Sequence, residues 1–360
     1  MSDETVETGE TVDAGTGVAE PEFAHVPLED DPDVVSGDTG REASLWRDAG
    51  RQLVRNPQFV AAALVLLVFL VMALFPTLFA PDGVTRADCE TRLGAQPPAW
   101  LDSSTEAPDG TWFGLDDKGC PYYERVIHGV IPSMVIGPSV ALASFAIALT
   151  FGTLAGYYGG WIDTIISRLT DIVLALPLIL GALVFITAFR GASSDDPEIS
   201  PFLRFLASIF EFIDELVDQR GIGLVVLVLV FFSWATMLRL ARSSVITNRD
   251  ADYVEAAKAL GASDLRIMTR HIIPNSLAPI LVFATILVGV AIVGEAALSF
   301  LGVGLQTPAI SWGLQLSVAQ RRLAGDPHLM LFPAVFLSIL VFSVILLGDA
   351  LRDALDPKLR

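Results

Sequence analysis

The sequence predicts an all-α integral membrane protein with six membrane-spanning helices. Three observations point to this fold class: 52% of the 360 residues are hydrophobic, only 18% are charged, and the apolar residues gather into long runs. A backbone in hydrocarbon must satisfy its own hydrogen bonds, so a bilayer core of about 30 Å is crossed by helices of about 20 apolar residues. We therefore expect a multi-pass protein of the cell membrane.

Six apolar runs meet this length criterion, and each contains at most one charged residue. They cover residues 57–80, 130–157, 172–189, 221–238, 279–303 and 329–348. The third and fourth runs are the shortest, at 18 residues each. Prolines within the runs, such as Pro138 and Pro177, remove a backbone donor and bend a helix, which suits a bundle that moves.

The distribution of Lys and Arg predicts the orientation, because basic residues are retained on the cytoplasmic side. With the N-terminus inside, the cytoplasmic segments contain fourteen basic residues and the external segments nine. Both termini are then cytoplasmic, as an acidic tail over residues 1–50 and a short end over residues 351–360. The first span occupies residues 51–80, and the remaining bundle occupies residues 129–350.

The net charge of −18 is concentrated near the N-terminus, where the first 46 residues contain thirteen acids and one base. This tail has too little apolar surface to offset chain entropy, so we predict that it is disordered. Twenty arginines against three lysines resemble the composition of salt-loving archaeal proteins, with a generic acidic tail as the alternative. So acidic a chain is not expected to bind nucleic acid.

Patterns for catalysis and cofactor binding are missing from the sequence. Lys118, Lys258 and Lys358 are each followed by Gly, Ala or Leu, so no phosphate-binding GxxxxGK[ST] loop can form. The four histidines are scattered, and neither CxxC, HExxH nor GxSxG occurs. We expect no cofactor, no metal site and no enzymatic activity.

A first external insertion, residues 81–128, contains both cysteines of the chain, Cys89 and Cys120. The predicted topology places them outside the reducing cytosol, so a disulfide is one hypothesis and two unpaired thiols are the other. On the chain-entropy estimate a bridge would stabilise the loop by about 3 to 4 kcal/mol.

A second external insertion, residues 191–220, contains apolar residues at the spacing of an amphipathic helix. They are Phe202, Phe205, Leu206, Ile209, Phe212, Ile213 and Leu216. Such a helix lies on the external membrane surface or against a partner; packing on the protein's own external loops is the alternative.

The segment of residues 241–276, between the fourth and fifth spans, is the most basic part of the chain and is predicted to form two short helices. In the first, Tyr253, Ala256, Ala257 and Leu260 share one face, and Gly261 ends the helix. The second begins at Ser263, which can cap it, and its apolar stripe runs through Leu265, Met268 and Ile272 to Pro274, where the fifth span begins. An exposed apolar helix pair offers a docking surface; packing beneath its own bundle is the alternative.

Glu255-Ala256-Ala257 followed by Gly261, with Ile273-Pro274 further on, resembles the EAA loop of the inner-membrane permease subunits of ABC importers. His271 to Asn275 is similar to the peptide-permease branch in particular. Residues 156–163, 298–304 and 348–357 also resemble the dipeptide, oligopeptide and nickel permeases of that branch. In one departure, Cys120-Pro121 stands where the branch usually has Arg-Asp.

The resemblance implies a permease subunit that forms half of a translocation path for peptides, with nickel complexes or oligosaccharides as alternative solutes. It implies four kinds of partner: the lipid bilayer, a second homologous permease, two cytoplasmic ATPases and an extracellular substrate-binding protein. The residues implied in coupling to an ATPase are Tyr253, Glu255, Ala256, Ala257, Leu260, Gly261 and Pro274. A secondary transporter, a remote alternative, would need paired repeats and intramembrane ion ligands.

Glu295 is the one carboxylate deep inside a predicted span. Because a lone charge in hydrocarbon costs roughly 2.5 kcal/mol or more, we expect it to face a partner helix, a water-filled path or Arg239. A structural pairing is favoured over contact with a solute.

Overall fold

The structure is a computed structural model that describes residues 50–80, 89, 93–108, 111–189, 200–217 and 221–355. Nearly all of the predicted acidic tail, the last five residues and parts of both insertions lie outside these ranges, as do several side chains within 201–217. The regular secondary structure of the described residues is helical, apart from isolated β-bridges that join Gln96 to Leu115 and Leu115 to Pro121. The predicted all-α class is confirmed.

The helices, in chain order, are α1 Pro57–Leu74, α2 Pro76–Phe79, α3 Tyr122–His128, α4 Val130–Tyr158, α5 Gly160–Ala175, α6 Leu178–Phe189, α7 Pro201–Val217, α8 Ile222–Arg249, α9 Asp252–Ala259, α10 Asp264–Ile267, α11 Ile273–Phe300, α12 Trp312–Gln320 and α13 His328–Leu355. Among the described residues, five helical stretches are long and apolar enough to cross a membrane. The count of six holds if α5 and α6 together form one bent span. We call the end of the bundle that carries residues 250–263 the loop end, and the other the opposite end.

The third span differs from its predicted course over residues 172–189. The chain bends by 90° between α5 and α6, next to Pro177, a proline that was predicted to bend this run. Leu176 adopts an extended conformation before Pro177, because the proline ring disfavours the helical conformation in the residue that precedes it. By itself α6, with 12 residues, measures about 18 Å and is too short to cross the bilayer.

The fourth and fifth spans extend well beyond their predicted loop-end boundaries. Helix α8 continues for 28 residues to Arg249. The predicted second short helix is not separate, because α10, a π-helical turn over Met268–Ile272 and α11 form one stretch of 37 residues. Pro274 has no backbone N–H, so the carbonyl one turn earlier lacks its helical hydrogen bond. The wider π-helical turn lies where this hydrogen bond is missing.

The tight contact between α4 and α8 depends on glycine. A Cβ atom on Gly152 would lie 2.8 Å from the Ala241 side chain, and one on Gly156 would lie 2.8 Å from that of Val245. Both distances are shorter than a van der Waals contact, so larger residues would force the helices apart. These two glycines therefore hold α8 close to α4 near the loop end.

Aromatic residues join α1, α12 and α13. The ring of Phe69 in α1 makes edge contacts with Trp312 and Phe336, at centroid distances of 6.0 and 6.1 Å. The Trp312 indole is fully buried and donates a hydrogen bond to the carbonyl of Val126 at 2.8 Å. The first span is thus attached to the last one.

At the opposite end, the first insertion is held by a disulfide and an ion pair. Cys89 and Cys120 are joined by a disulfide that spans 31 residues. Nearby, the buried carboxylate of Asp116 accepts hydrogen bonds from the backbone N–H groups of Lys118 and Cys120, and Arg125 donates to it at 2.8 Å. The ion pair ties the loop to α3, directly before the second span.

The second insertion contains α7, as predicted, and its end is fixed to α8. The Asp214 carboxylate accepts hydrogen bonds from the backbone N–H groups of Gly221 and Gly223, both at 2.7 Å. Phe205 and Phe212 remain 61% and 66% exposed, so these two side chains do not pack on the protein's own loops. An apolar edge of α7 therefore faces outward at the opposite end.

Candidate functional site

The loop between α8 and α10 is built around α9 and a glycine that closes it. Gly261 has a φ of +80°, which L side chains rarely adopt. Its N–H bonds to the carbonyl of Lys258 at 2.9 Å, and the N–H of Ala262 bonds to that of Ala257 at 3.1 Å. This pair of bonds is the Schellman motif, and it gives the loop a defined shape rather than that of a linker.

Helix α9 has one buried and one exposed face. Val254 and Ala257 point inward, at 0% and 9% exposure. Tyr253 and Leu260 are 40% and 89% exposed, and Leu265, at the start of α10, is 67% exposed. The buried cluster beneath the loop comprises Tyr157, Val245, Val254, Ala257, Ile267, Met268 and Ile272. We call Tyr253, Ala256, Leu260 and Leu265 the loop-end surface.

This arrangement corrects the predicted grouping of Tyr253, Ala256, Ala257 and Leu260 on one face. Ala257 turns inward with Val254, while the other three members are exposed. The larger β-branched Val254, three residues before Ala257, sets the buried face. The sequence contained this signal in the apolar pair at i and i+3.

The remaining predicted residues of the loop are placed as follows. Glu255 is exposed and, within the described residues, makes no ion pair with Lys258. Ser263 is the N-terminal cap residue of α10, but its side chain makes no capping hydrogen bond. Pro274 is exposed in the first turn of α11.

A tyrosine of α4 connects the loop to the bundle. The Tyr157 hydroxyl donates a hydrogen bond to the Asp264 carboxylate at 2.7 Å, and the Lys258 ammonium lies 5.8 Å from the centre of the same ring. The Arg249 guanidinium donates to the carbonyl of Gly156 at 3.1 Å. Residues 156–163 resemble a motif of the permease branch, but the sequence did not predict that Tyr157 contacts the loop.

Polar contacts also fix α8 to its neighbours at the loop end. Arg242 donates two hydrogen bonds to the Asp163 carboxylate in α5, one of them from Nη2 at 2.6 Å. The Asn248 amide donates to the Ser276 hydroxyl in α11 at 3.0 Å. The loop is therefore attached to α4, α5 and α11 through α8 as well as through its own residues.

The start of the loop carries a short-range contact and an ion pair. The Tyr253 hydroxyl donates to the Asn248 side-chain oxygen at 3.1 Å. The Arg249 guanidinium donates to the Asp250 carboxylate at 3.0 Å, and this hydrogen bond holds the pKa of Asp250 below its usual value.

Glu295 lies fully buried in α11. Its Oε1 accepts a hydrogen bond from the Ser299 hydroxyl at 2.8 Å, and Ser299 accepts one from the N–H of Leu305 at 3.0 Å. The predicted alternative of an Arg239 partner is wrong, since Arg239 donates to Asp171 at 2.6 Å. Ser299, the donor of this hydrogen bond, lies one turn further along the same helix as Glu295.

Five to six helices long and apolar enough to cross a membrane, with a loop of defined shape between two of them, are the architecture of a multi-pass membrane protein. Sequence comparison gives the family: the chain belongs to the binding-protein-dependent transport system inner membrane components, which match residues 148–360. Residues 44–98 match the N-terminal TM domain of oligopeptide transport permease C. The chain is thus a membrane permease component of an ABC importer, and the resemblance found in the EAA-like loop is confirmed.

The chain is similar to individual relatives over most of their length. The dipeptide transport system permease protein DppC of Alkalihalophilus pseudofirmus is 35% identical over 88% of this chain and 91% of its own length. The glutathione transport system permease protein GsiD of Pectobacterium atrosepticum is 34% identical over 88% and 92%. DppC of Bacillus subtilis is 31% identical over 93% and 95%. A chain of the MetNI methionine ABC transporter, solved in inward facing conformations, has a TM-score of 0.48 at 19% identity, covering 66% of this chain and 98% of that one.

Proposed function

We propose that this permease component forms half of a translocation path for short peptides and is driven through the loop-end surface by separate ATPase subunits. One observation carries the proposal: a rigid loop presents Leu260 at 89% exposure beside two other exposed apolar side chains. Burying such a leucine against a partner yields about 1.5 to 3 kcal/mol. A surface of this kind is suited to docking in a cleft.

Contacts beneath the loop support its role as a lever. α9 packs on the buried cluster, Tyr157 joins the loop to α4, and α10 continues without a break into α11. A displacement of α9 therefore acts on several spans at once, because each attachment is a packed contact or a hydrogen bond rather than a flexible tether. This arrangement supports alternating access driven from the loop end.

The partners follow from the same proposal. Two ATPases dock at the loop end, a second homologous permease completes the path, and an extracellular substrate-binding protein delivers the solute. The excess of Lys and Arg in the predicted cytoplasmic segments, fourteen against nine, supports a cytoplasmic loop end with both termini inside.

Peptides are favoured over the alternative solutes. Two of the relatives are named for dipeptides and one for glutathione, all of them short peptides. Nickel complexes and oligosaccharides have no support of this kind from these relatives.

A charge on the loop-end surface tests the proposal. In the importer reconstituted with its partners, Leu260→Asp is expected to abolish both ATPase binding and dipeptide uptake, because it places a charge in an apolar contact. Leu323→Asp is the matched control, since Leu323 is also exposed, at 48%, but lies at the opposite end. Normal ATPase binding by Leu260→Asp would show that this surface is not the docking site.

A further inference from the structure

The exposed face of α8 has an unusual composition for a membrane span. More than half of its most apolar stretch, 56%, is buried, the largest share among the candidate spans. Every residue of α8 is described, and its exposed side chains are all polar: Thr236, Arg239, Ser243 and Thr247. Their spacing of three, four and four residues places them along one face. The Ser243 and Thr247 hydroxyls donate to the carbonyls of Leu240 and Ser243 in their own helix. Arg239 and Thr236 lie deeper, and lipid would solvate them poorly, so this part of the face is not built for a lipid environment.

Helix α5, beside α8, carries its exposed residues between 161 and 172 on two edges. The apolar edge comprises Trp161, Ile165, Leu169 and Ile172, which are 51% to 73% exposed. The polar edge comprises Thr164, Arg168 and Asp171. An amphipathic pattern of this kind is typical of a helix that has lipid on one side and water on the other.

One ion pair joins the two polar faces. The Arg239 guanidinium donates to the Asp171 carboxylate at 2.6 Å, and the two side chains are 54% and 52% exposed. Arg239 lies ten residues before the end of α8 at Arg249, which is about 15 Å along the helix axis. Asp171 lies eleven residues after the start of α5 at Gly160, which is about 16 Å.

This depth brings the ion pair within the span. Helix α8, with 28 residues, is about 42 Å long, so it exceeds a hydrocarbon core of about 30 Å by about 12 Å. Arg239 lies about 15 Å from the loop end of the helix, which is farther than this excess. A half-exposed Arg–Asp pair facing hydrocarbon would be costly, whereas in contact with water it is ordinary. The hydroxyls of Ser243 and Thr247 continue the polar face from the pair to the loop end.

We propose that the polar faces of α5 and α8 form this subunit's wall of the water-filled solute path, and that Arg239 and Asp171 take the carboxylate and ammonium ends of a zwitterionic peptide as it passes. The inference rests on the proposed function and extends it to the recognition of charge. A guanidinium binds a carboxylate through paired hydrogen bonds, so a peptide C-terminus can replace Asp171 as its partner. Asp171, once released, is left to accept from the peptide N-terminus.

Thiol labelling tests whether the polar face lines a water-filled path, and this test does not depend on which solute is transported. Within the described residues the chain has no free cysteine, so one introduced cysteine supplies the only reactive thiol there. In the reconstituted importer, Thr236→Cys is expected to react with a charged methanethiosulfonate about tenfold faster than Ile172→Cys, because only a hydrated thiol ionises. Ile172 is the matched control, since it follows Asp171 at the same depth on the apolar edge and is 64% exposed. Equal, slow labelling at both positions would place the polar face against the second permease and overturn the proposal.

Uptake kinetics test the recognition of charge. The importer with Arg239→Gln is compared with the unmodified one for a dipeptide and for the same dipeptide with an amidated C-terminus. We expect the preference for the free carboxylate, measured as the ratio of the two KM values, to fall about tenfold, and Arg239→Lys to restore part of it. An unchanged ratio with reduced kcat for both peptides would show a merely structural ion pair. Failure of the unmodified importer to take up either peptide would instead refute the proposed function, while the labelling result would still stand.

Discussion

The hydroxyl of Tyr157 and the carboxylate of Asp264 meet at 2.7 Å although 107 residues separate them in the chain. Tyr157 lies in the last turn of α4, which is the second span. Asp264 is the first residue of α10, which continues into the fifth span. Tyr157 also lies beneath the Lys258 ammonium of α9. One phenol ring therefore contacts both arms of the loop that presents the loop-end surface.

Removing this hydroxyl is expected to weaken the transmission of movement. Tyr157→Phe keeps the ring and its packing but deletes a hydrogen bond to a charged group, which is worth about 1.5 to 3 kcal/mol. We predict that the reconstituted importer still hydrolyses ATP but moves fewer solute molecules per ATP, as measured by parallel uptake and phosphate release. Tyr158→Phe is the control, because Tyr158 is 47% exposed and should leave this ratio unchanged. An unaltered ratio in Tyr157→Phe would show that the bond is dispensable for coupling.

The sequence predicted those parts of the molecule that depend on local pattern. Apolar runs revealed the spans, and Gly261 was read as the end of α9 because a helix that ends in a left-handed residue favours glycine. The pairing of Arg239 with Asp171 was not predicted, since it joins residues 68 positions apart and depends on how α5 and α8 pack. The inward turn of Ala257 was missed for another reason: the grouping with Tyr253 and Leu260 left out Val254, whose spacing of three residues from Ala257 indicates the buried face.

Gly261 offers a test of the loop's shape. Nothing lies within 4 Å of a Cβ added there, so a substitution strains the backbone at φ +80° without a clash. Gly261→Ala is therefore expected to destabilise the end of α9 by about 1 kcal/mol and to speed amide hydrogen exchange in the loop. Gly325→Ala is the matched control, because that site is equally open but has no positive φ. Equal exchange in the two variants would mean that the left-handed turn does not hold the loop.

The disulfide at the opposite end gives a chemical prediction. Thiol titration of unfolded, unreduced protein is expected to find no free thiol, and two after reduction, because Cys89 and Cys120 are the chain's two cysteines. Cys89→Ser with Cys120→Ser should release the first insertion, making it more sensitive to protease, since a bridge over 31 residues removes loop-closure entropy from the open state. Two titratable thiols before reduction would contradict the bridge.

Ala256 and Ala257 are adjacent, yet the structure predicts different consequences for the fold of the loop from the same substitution. Ala257 is 9% exposed in the buried cluster, so Ala257→Glu places a carboxylate among apolar side chains and should unfold the loop itself. Ala256 is exposed, so Ala256→Glu should leave the loop intact and weaken only ATPase docking. Limited proteolysis of the permease alone separates the two: rapid cleavage near residue 257 is expected only in Ala257→Glu, while both variants lose ATPase binding. If Ala256→Glu were cleaved as fast, or bound the ATPase normally, the division of α9 into a structural face and a docking face would be wrong.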